Sequence, residues 1–212
     1  MIYEIRKYNS KTDYNEESFS GSIVFETKEQ SISPKGKLIS YYGNMDKVVI
    51  PEGIESMGKN IFEGAGEYSI FGNEIRELIL PESLKEIELG AFTSNDLINK
   101  ITCKSKNFIL KNGGLYSLDG KILHYIVKPT LKEEEIFKVP DGVEIISGGN
   151  NYYGLIIPSS VKKICGEIYN GSIYAPKNSY AIKYAEQKDI DFYEVDYDNA
   201  IDFIKKEYNE EN

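Results

Sequence analysis

His124 is the single histidine in the sequence and the one side chain whose ordinary pKa lies near neutral pH. Catalysis by this residue would need a nucleophile and an orienting partner held beside it. It lies in the strand-like segment KILHYIV, without the Ser or Cys context of a nucleophile elbow. We therefore interpret His124 as structural or solvent-facing and predict that the chain is not an enzyme. A hydrolase that uses His124 is the third hypothesis, after two binding functions.

Cys103 and Cys165 are the two cysteines of the chain. Both fall within repeated segments, where we expect buried and unreactive thiols. A structural zinc site takes four Cys or His ligands, and one histidine and two cysteines cannot supply four. The acidic run at 133–135 has the ordinary interpretation of solvated surface. We predict no metal site, no catalytic residues and no cofactor.

A repeat centred on proline would position these side chains. It reads VVIPEGIESM (48–57), LILPESLKEI (78–87), FKVPDGVEII (137–146) and LIIPSSVKKI (155–164). In every copy, large apolar residues stand three and one positions before the proline, and three and six after it. Apolar residues two apart line one face of a short strand, and proline then ends the strand's hydrogen bonding. Turn-forming residues follow, so the chain reverses and re-enters the core.

Stacking explains why such a unit recurs, because one copy cannot bury its own apolar side. Eleven residues after three of the prolines stand Phe62, Phe92 and Tyr169, which we expect to fill the far side of each coil. The interval from Pro81 to Pro140 is about twice that from Pro51 to Pro81, and we place a further coil there at INKITCKS (98–105). The sequence therefore predicts a right-handed β-rich solenoid of about five coils.

An inserted hairpin and two caps complete the predicted organisation. The insertion covers 113–127, with Asp119-Gly120 as a type I′ turn in which both residues have positive φ. Residues 1–45 form a strand-rich N-terminal cap and 46–172 the solenoid. Residues 173–212 form a C-terminal cap of strand, helix and strand with an acidic tail. The short helix is predicted over 179–189 and a second over the tail around 200–204.

The stretch VVIPEGIESMGKNIF and its recurrence LILPESLKEIELGAF resemble the BspA-type bacterial leucine-rich repeats. The match lies in Ile50-Pro51, Gly58 and Gly90-Ala91-Phe92, and the likeness extends over roughly 35–195. GGLYSLDGKILHYIV (113–127) resembles the hairpin insertion of that family. The resemblance implies a leucine-rich-repeat fold that presents a binding surface, often on secreted or surface proteins that attach to host or matrix partners.

One outward side chain must lie between the two inward residues of each strand. We predict that these residues, together with those two positions earlier in the same strands, form a partner-binding row. Its members are Lys47, Val49, Glu77, Ile79, Lys138, Gly154 and Ile156. Three apolar members exceed what a solvated face requires. The predicted function is non-enzymatic binding of a protein partner, or of a second copy. The alternative is a carbohydrate- or matrix-binding surface built from tyrosines, with Tyr41, Tyr42, Tyr152 and Tyr153 as candidates.

Charge and targeting signals restrict the partners. Asp plus Glu outnumber Lys plus Arg by 34 to 25, which gives a formal charge of −9. Such a chain is repelled by phosphates, so we expect no binding to nucleic acid or to an anionic membrane. The first residues contain no apolar run of secretory length, and no window reaches the length of a membrane span. We expect a cytoplasmic location on that basis, with a surface or secreted location as the alternative if an export signal lies outside this sequence.

Overall fold

The computed structural model describes residues 4–7, 22–26, 36–42, 47–62, 75–93, 98–127, 136–148, 154–166, 168 and 171–210. The chain forms a β-solenoid of about six turns, one more than the sequence pattern predicts. Its strands, in chain order, are β1 (Glu4–Lys7), β2 (Ser22–Glu26), β3 (Gly36–Tyr42), β4 (Lys47–Val49), β5 (Ile54–Met57), β6 (Glu77–Leu80), β7 (Glu86–Ile87), β8 (Lys100–Cys103), β9 (Phe108–Lys111), β10 (Gly114–Ser117), β11 (Ile122–Ile126), β12 (Ile136–Lys138), β13 (Ile145–Ile146), β14 (Gly154–Ile156), β15 (Lys163–Ile164), β16 (Ser172–Ala175) and β17 (Phe192–Glu194). The helices are α1 (Tyr180–Lys188) and α2 (Ala200–Glu210).

The strands that precede the prolines form two parallel ladders. One has the order β4-β6-β8 and the other β12-β14-β16-β17. Equivalent positions of the repeat lie side by side, with Val48 opposite Leu78 and Phe137 opposite Leu155. Residues 98–105 supply a coil as predicted, since β8 pairs with β6. Stacking in register places the inward apolar residues of successive coils against one another, which is how the repeat buries its apolar side.

The strands that follow the repeat prolines are β5, β7, β13 and β15, and they belong to two further sheets. These sheets also contain N-terminal and inserted strands, with the orders β1-β2-β3-β5-β7 and β15-β13-β11-β10-β9. β3 pairs parallel with β5, so part of the predicted N-terminal cap continues the solenoid. Residues 1–45, for which the sequence predicts a strand-rich cap, contain β1, β2 and β3, which pair in the first of these sheets. The domain boundaries themselves stay a prediction.

The core comprises two main clusters, one reaching from Leu38 to Tyr125 and the other from Tyr116 to Ala185. Ile50 and Leu80 lie in the first, and Val139 and Ile157 lie in the second. All four side chains are at most 2% exposed. The predicted inner column is thus buried throughout, and it is shared between the two clusters.

Aromatic rings fill the first cluster in one continuous row. Tyr41, Phe62, Phe92 and Tyr125 follow one another with centroid separations of 6.1, 5.8 and 5.2 Å. Phe62 and Phe92 were predicted for this role, and Tyr169 lies outside the described residues. Tyr125 was not predicted, because it belongs to the inserted segment and not to a repeat copy.

The inserted segment is a three-stranded meander, β9-β10-β11, and so is larger than the predicted hairpin. The predicted type I′ turn at Asp119-Gly120 is wrong, since only Gly120 has positive φ, at 72°. Its N–H donates to the Ser117 carbonyl at 2.9 Å. The type I′ signature lies instead at Asn112 and Gly113, with φ of 48° and 75°.

The C-terminal part consists of β16, α1, β17 and α2 in chain order. The Ser179 hydroxyl accepts from the Ile182 N–H at 3.3 Å and caps α1. β17 then adds to β16 as the last strand of its ladder. Neither α1 nor α2, the helices of the described residues, has the length and apolar character needed to cross a membrane.

Candidate functional site

The ladder β4-β6-β8 presents an outward row of six side chains, which we call the open row. Its members are Lys47, Val49, Glu77, Ile79, Lys100 and Thr102. Val49 and Ile79 are neighbours across the ladder and both are partly exposed. The first four members were predicted. Lys100 and Thr102 were missed, although the coil at 98–105 was recognised and the same strand alternation identifies them.

Glu77 is the electrostatic centre of the open row. Its carboxylate lies 3.1 Å from the Lys100 ammonium and 3.3 Å from that of Lys47. The hydrogen bond from Lys100, with a smaller contribution from Lys47, holds the pKa of Glu77 below its ordinary value. One carboxylate thus serves two lysines, so this side of the row carries one net positive charge in a strongly acidic chain.

The other half of the predicted row is not a surface. Ile156 is 0% exposed and Gly154 is buried, so their assignment as partner-binding residues is wrong. Ile156 packs in a cluster with Tyr174, Ala200 and Ile204. The last two belong to α2, so the chain's own helix covers the outward face of β12-β14-β16. We call Lys138, Gly154, Ile156 and Tyr174 the covered row.

Gly154 is required by close packing beneath that helix. A Cβ atom at this position would lie 3.0 Å from the Tyr174 ring and 3.3 Å from Cγ1 of Ile136. Such distances are shorter than ordinary contacts, so any side chain would displace its neighbours. The sequence alternation places Gly154 on the outward side correctly, but it does not reveal that another element lies against it.

Lys138 is partly buried because the segment leading into α2 crosses it. Its ammonium lies over the Tyr197 ring, and the Tyr197 hydroxyl donates to the Val139 carbonyl at 2.7 Å. Burial raises the pKa of Tyr197, so the phenol stays protonated and able to donate. These two contacts fasten the start of the helical cover to β12.

The tyrosines proposed for a glycan surface do not form one in the described structure. Tyr41 is 1% exposed and packs edge-on against Phe62, so its assignment as a surface contact is wrong. It is buried because β3 continues the solenoid and turns this side chain into the core. The Tyr42 side chain, Tyr152 and Tyr153 lie outside the described part.

His124 lies in the interior, on β11. The imidazole is 2% exposed and meets Phe108 edge-on, with ring centroids 5.6 Å apart. Burial lowers the pKa of His124 to about 4, so the ring is neutral at pH 7. Its Nδ1 atom has no hydrogen-bond partner among the described residues. An imidazole in this setting cannot meet solvent as a base, which leaves the hydrolase hypothesis without its proposed residue.

The two cysteines are more exposed than predicted. Both are only partly buried, Cys103 at the end of β8 and Cys165 just after β15. Partial burial raises the pKa of the Cys103 thiol, which disfavours the reactive thiolate. Within the described residues, no three His, Cys, Asp or Glu side chains converge as metal ligands would.

An open groove of about 450 Å³ lies beside Cys165, on the side where β7 and β15 end. Its walls include Lys59, Glu88 and Lys163. Within it the Thr93 hydroxyl donates to the Asn60 side-chain oxygen at 2.8 Å. The groove gathers none of the predicted partner-binding residues.

No family model matches the chain, and no curated protein is similar enough to match it. Solved structures with a similar fold include a leucine-rich repeat protein from Eubacterium ventriosum ATCC 27560, with 22% identity and a TM-score of 0.48 over 65% of this chain. Another is a leucine rich cell surface protein from Faecalibacterium prausnitzii A2-165, with 21% identity and a TM-score of 0.43 over 61% of this chain. The matches cover 37% and 41% of those two proteins, so this chain corresponds to less than half of each.

Proposed function

We propose that the chain is a protein-interaction module and that the open row is its binding surface. The observation that supports this proposal is that two equivalent outward faces of the repeat differ in whether another element covers them. The covered row is closed by α2. The open row lies on the same kind of parallel ladder and carries apolar Val49 and Ile79 side by side, and no described residue lies over it in a buried cluster. A binding partner would occupy the open row as α2 occupies the covered one.

The contacts of α2 indicate what kind of segment suits such a face. Ala200 permits close approach, and Ile204 fills the space above Ile156 and Tyr174. Exposed polar residues occupy much of the opposite side of the helix. A partner helix with a small residue and a branched apolar residue four positions apart would fit the open row in the same way. An acidic side chain next to that stripe would meet Lys47 or Lys100.

The row should contribute to binding chiefly through its apolar residues. Interface energy concentrates in a few buried apolar or aromatic side chains, while charged pairs mainly guide association. Val49 and Ile79 are the apolar pair, and the charged residues Lys47, Glu77 and Lys100 lie beside them on the same strands. Replacing the apolar pair by lysine adds two charges where the partner would bury apolar surface, and this should abolish binding.

The test is a quantitative pull-down from the native cell with three forms of the full chain. These are the wild type, the double variant Val49→Lys/Ile79→Lys, and the control Ser159→Lys/Gln187→Lys, which adds the same charge at exposed positions elsewhere. We expect a partner that is retained by the wild type and the control and lost by the row variant. The proposal is wrong if the row variant retains every partner, or if it unfolds while the control does not.

A further inference from the structure

The inserted meander carries a second surface, which does not depend on the function proposed for the open row. β9 is the terminal strand of its sheet and pairs only with β10 among the described strands. A terminal strand presents unpaired backbone donors and acceptors, which can pair with a strand of another chain. The question is whether β9 is protected against such pairing or suited to it.

The turn between β9 and β10 determines which backbone groups point outward. It is a two-residue turn at Asn112 and Gly113, flanked by the pair Lys111 and Gly114. Pairs that flank such a turn are hydrogen-bonded to each other, and alternate pairs are not. Ile109 therefore bonds to Tyr116, whereas the N–H and C=O of Leu110 point away from the sheet to the free edge.

The side chains of this strand are apolar on both faces. Ile109 is 38% exposed and Leu110 is 43% exposed, and neighbouring strand residues face opposite ways. Leu118, in the turn that follows β10, is 61% exposed. Exposed edges in stable proteins are often protected by charged residues, bulges or short length, and this four-residue edge carries two exposed apolar side chains at its centre. The strand thus offers both outward backbone groups and apolar contacts.

The charge around β9 selects the partner. Residues 97–118 contain four lysines and no acidic residue, within a chain whose net charge is −9. Lys100 pairs with Glu77, and the charge of Lys104 helps to lower the pKa of Glu52. Lys106, two residues before β9, and Lys111, its last residue, are exposed and form no ion pair within the described residues. A second copy would bring further lysines to this edge, whereas acidic side chains would neutralise it.

We propose that the free edge of β9 binds an extended, acidic segment of a partner protein, which adds to the meander as a further strand. The Leu110 N–H and C=O pair with the backbone of the segment. Ile109 and Leu110 contact its apolar side chains, one on each face. Lys106 and Lys111 pair with its carboxylates.

The first test measures binding of a fluorescein-labelled peptide of sequence EVDVEID to the full chain by fluorescence anisotropy. The charge-reversed peptide KVKVKIK is the peptide control. We expect saturable binding of the acidic peptide that weakens as salt is added, and no binding of the basic one. The proposal is overturned if the acidic peptide does not bind at concentrations up to about 1 mM, the weakest affinity of interest. It is also overturned if both peptides bind alike.

Variants separate the backbone contribution from the charge contribution. Leu110→Pro removes the outward N–H at a position where an edge strand tolerates proline, and Leu110→Ala removes the side chain alone. We expect Leu110→Pro to bind at least about tenfold more weakly than Leu110→Ala. Lys106→Glu/Lys111→Glu should abolish binding, while Lys59→Glu/Lys183→Glu, exposed lysines elsewhere, should not. Equal binding by the two Leu110 variants, or by the two charge variants, contradicts strand addition at β9.

A measurement on the wild type remains decisive if Leu110→Pro does not fold. Amide hydrogen exchange should slow at least about tenfold at Leu110 when the acidic peptide is saturating, because its N–H becomes hydrogen-bonded. Exchange at Ile109, which is already bonded to Tyr116, should change much less. Unchanged exchange at Leu110 in the presence of bound peptide overturns the proposal. So does formation of dimers through β9, which would identify a second copy as the occupant.

Discussion

The Lys138 ammonium lies 4.2 Å from the centroid of the Tyr197 ring, and this contact joins a repeat strand to the segment that leads into α2. The neighbouring bond from the Tyr197 hydroxyl to the Val139 carbonyl holds the same segment in place. Lys138 stands at an outward position of the repeat, as Ile79 does. The covered row therefore packs against another element of the chain, whereas the equivalent positions of the open row remain partly exposed.

Phe92 should be the most costly of the aromatic residues to truncate. It is 1% exposed and lies between Phe62 and Tyr125 in the core row. Phe92→Ala leaves a cavity that neighbouring coils cannot fill, and we expect a loss of about 3–5 kcal/mol in the free energy of unfolding. Denaturant unfolding measures it. Phe192→Ala, at a partly exposed position, should cost less than about 1 kcal/mol, and equal costs would contradict the assigned core.

Ser83 should contribute through its hydroxyl, which joins two successive turns. The hydroxyl accepts from the Gly53 N–H and donates to the Ile54 carbonyl, both at 2.8 Å. Ser160 repeats the first bond, accepting from the Gly142 N–H at 3.0 Å. Ser83→Ala should lower the free energy of unfolding by about 1 kcal/mol. Ser159→Ala, an exposed neighbour of Ser160, should be neutral, and thermal unfolding of both variants would expose any failure of this expectation.

His124 should make the protein less stable as the pH falls below neutral. Its pKa in the folded state is about 4, below the ordinary value of 6.5. The unfolded chain therefore binds the proton first, so stability is greatest above pH 6.5 and declines until the pH reaches about 4. The decline from this one group should reach about 2 kcal/mol at a pH of about 5.

The control for this prediction is His124→Phe, which keeps a ring against Phe108 and removes the titrating group. Urea unfolding of both proteins at a pH of about 7.5 and of about 5 gives the difference in pH dependence. Burial holds His124 neutral, whereas Glu77 and Glu144 have pKa values lowered by lysines and titrate in a more acidic range. If the two proteins lose the same stability between these pH values, His124 is not buried as described.

The solenoid was predictable because its signal is local and repeated. The residues around Pro51 and Pro81 specify a strand, a stop and a turn within ten positions, and stacking follows from that pattern alone. The burial of individual residues on the outward face was not predictable in the same way. Ile79 and Ile156 occupy the same place in the repeat, and only the tertiary position of α2 decides that one is open and the other buried.

The inserted segment shows a different limit. Asn112-Gly113 and Asp119-Gly120 are both dipeptides typical of a type I′ turn, and only Asn112-Gly113 adopts one. Two candidate turns lie close together there, and turn propensity alone does not rank them. The burial of Tyr41 was also beyond the pattern, because it depends on the pairing of β3 with β5, between segments that share no motif.

The central claim, that two equivalent halves of one repetitive face differ in cover, is tested most directly by a single pair of substitutions. Ile79→Lys and Ile156→Lys make the same chemical change at the same place in the repeat. The account predicts a change within about 1 kcal/mol in the free energy of unfolding for Ile79→Lys, because the lysine stem can lie along the open row. It predicts a loss of at least about 4 kcal/mol for Ile156→Lys, which would bury a charge beneath α2. Similar losses for the two variants in denaturant unfolding would contradict it.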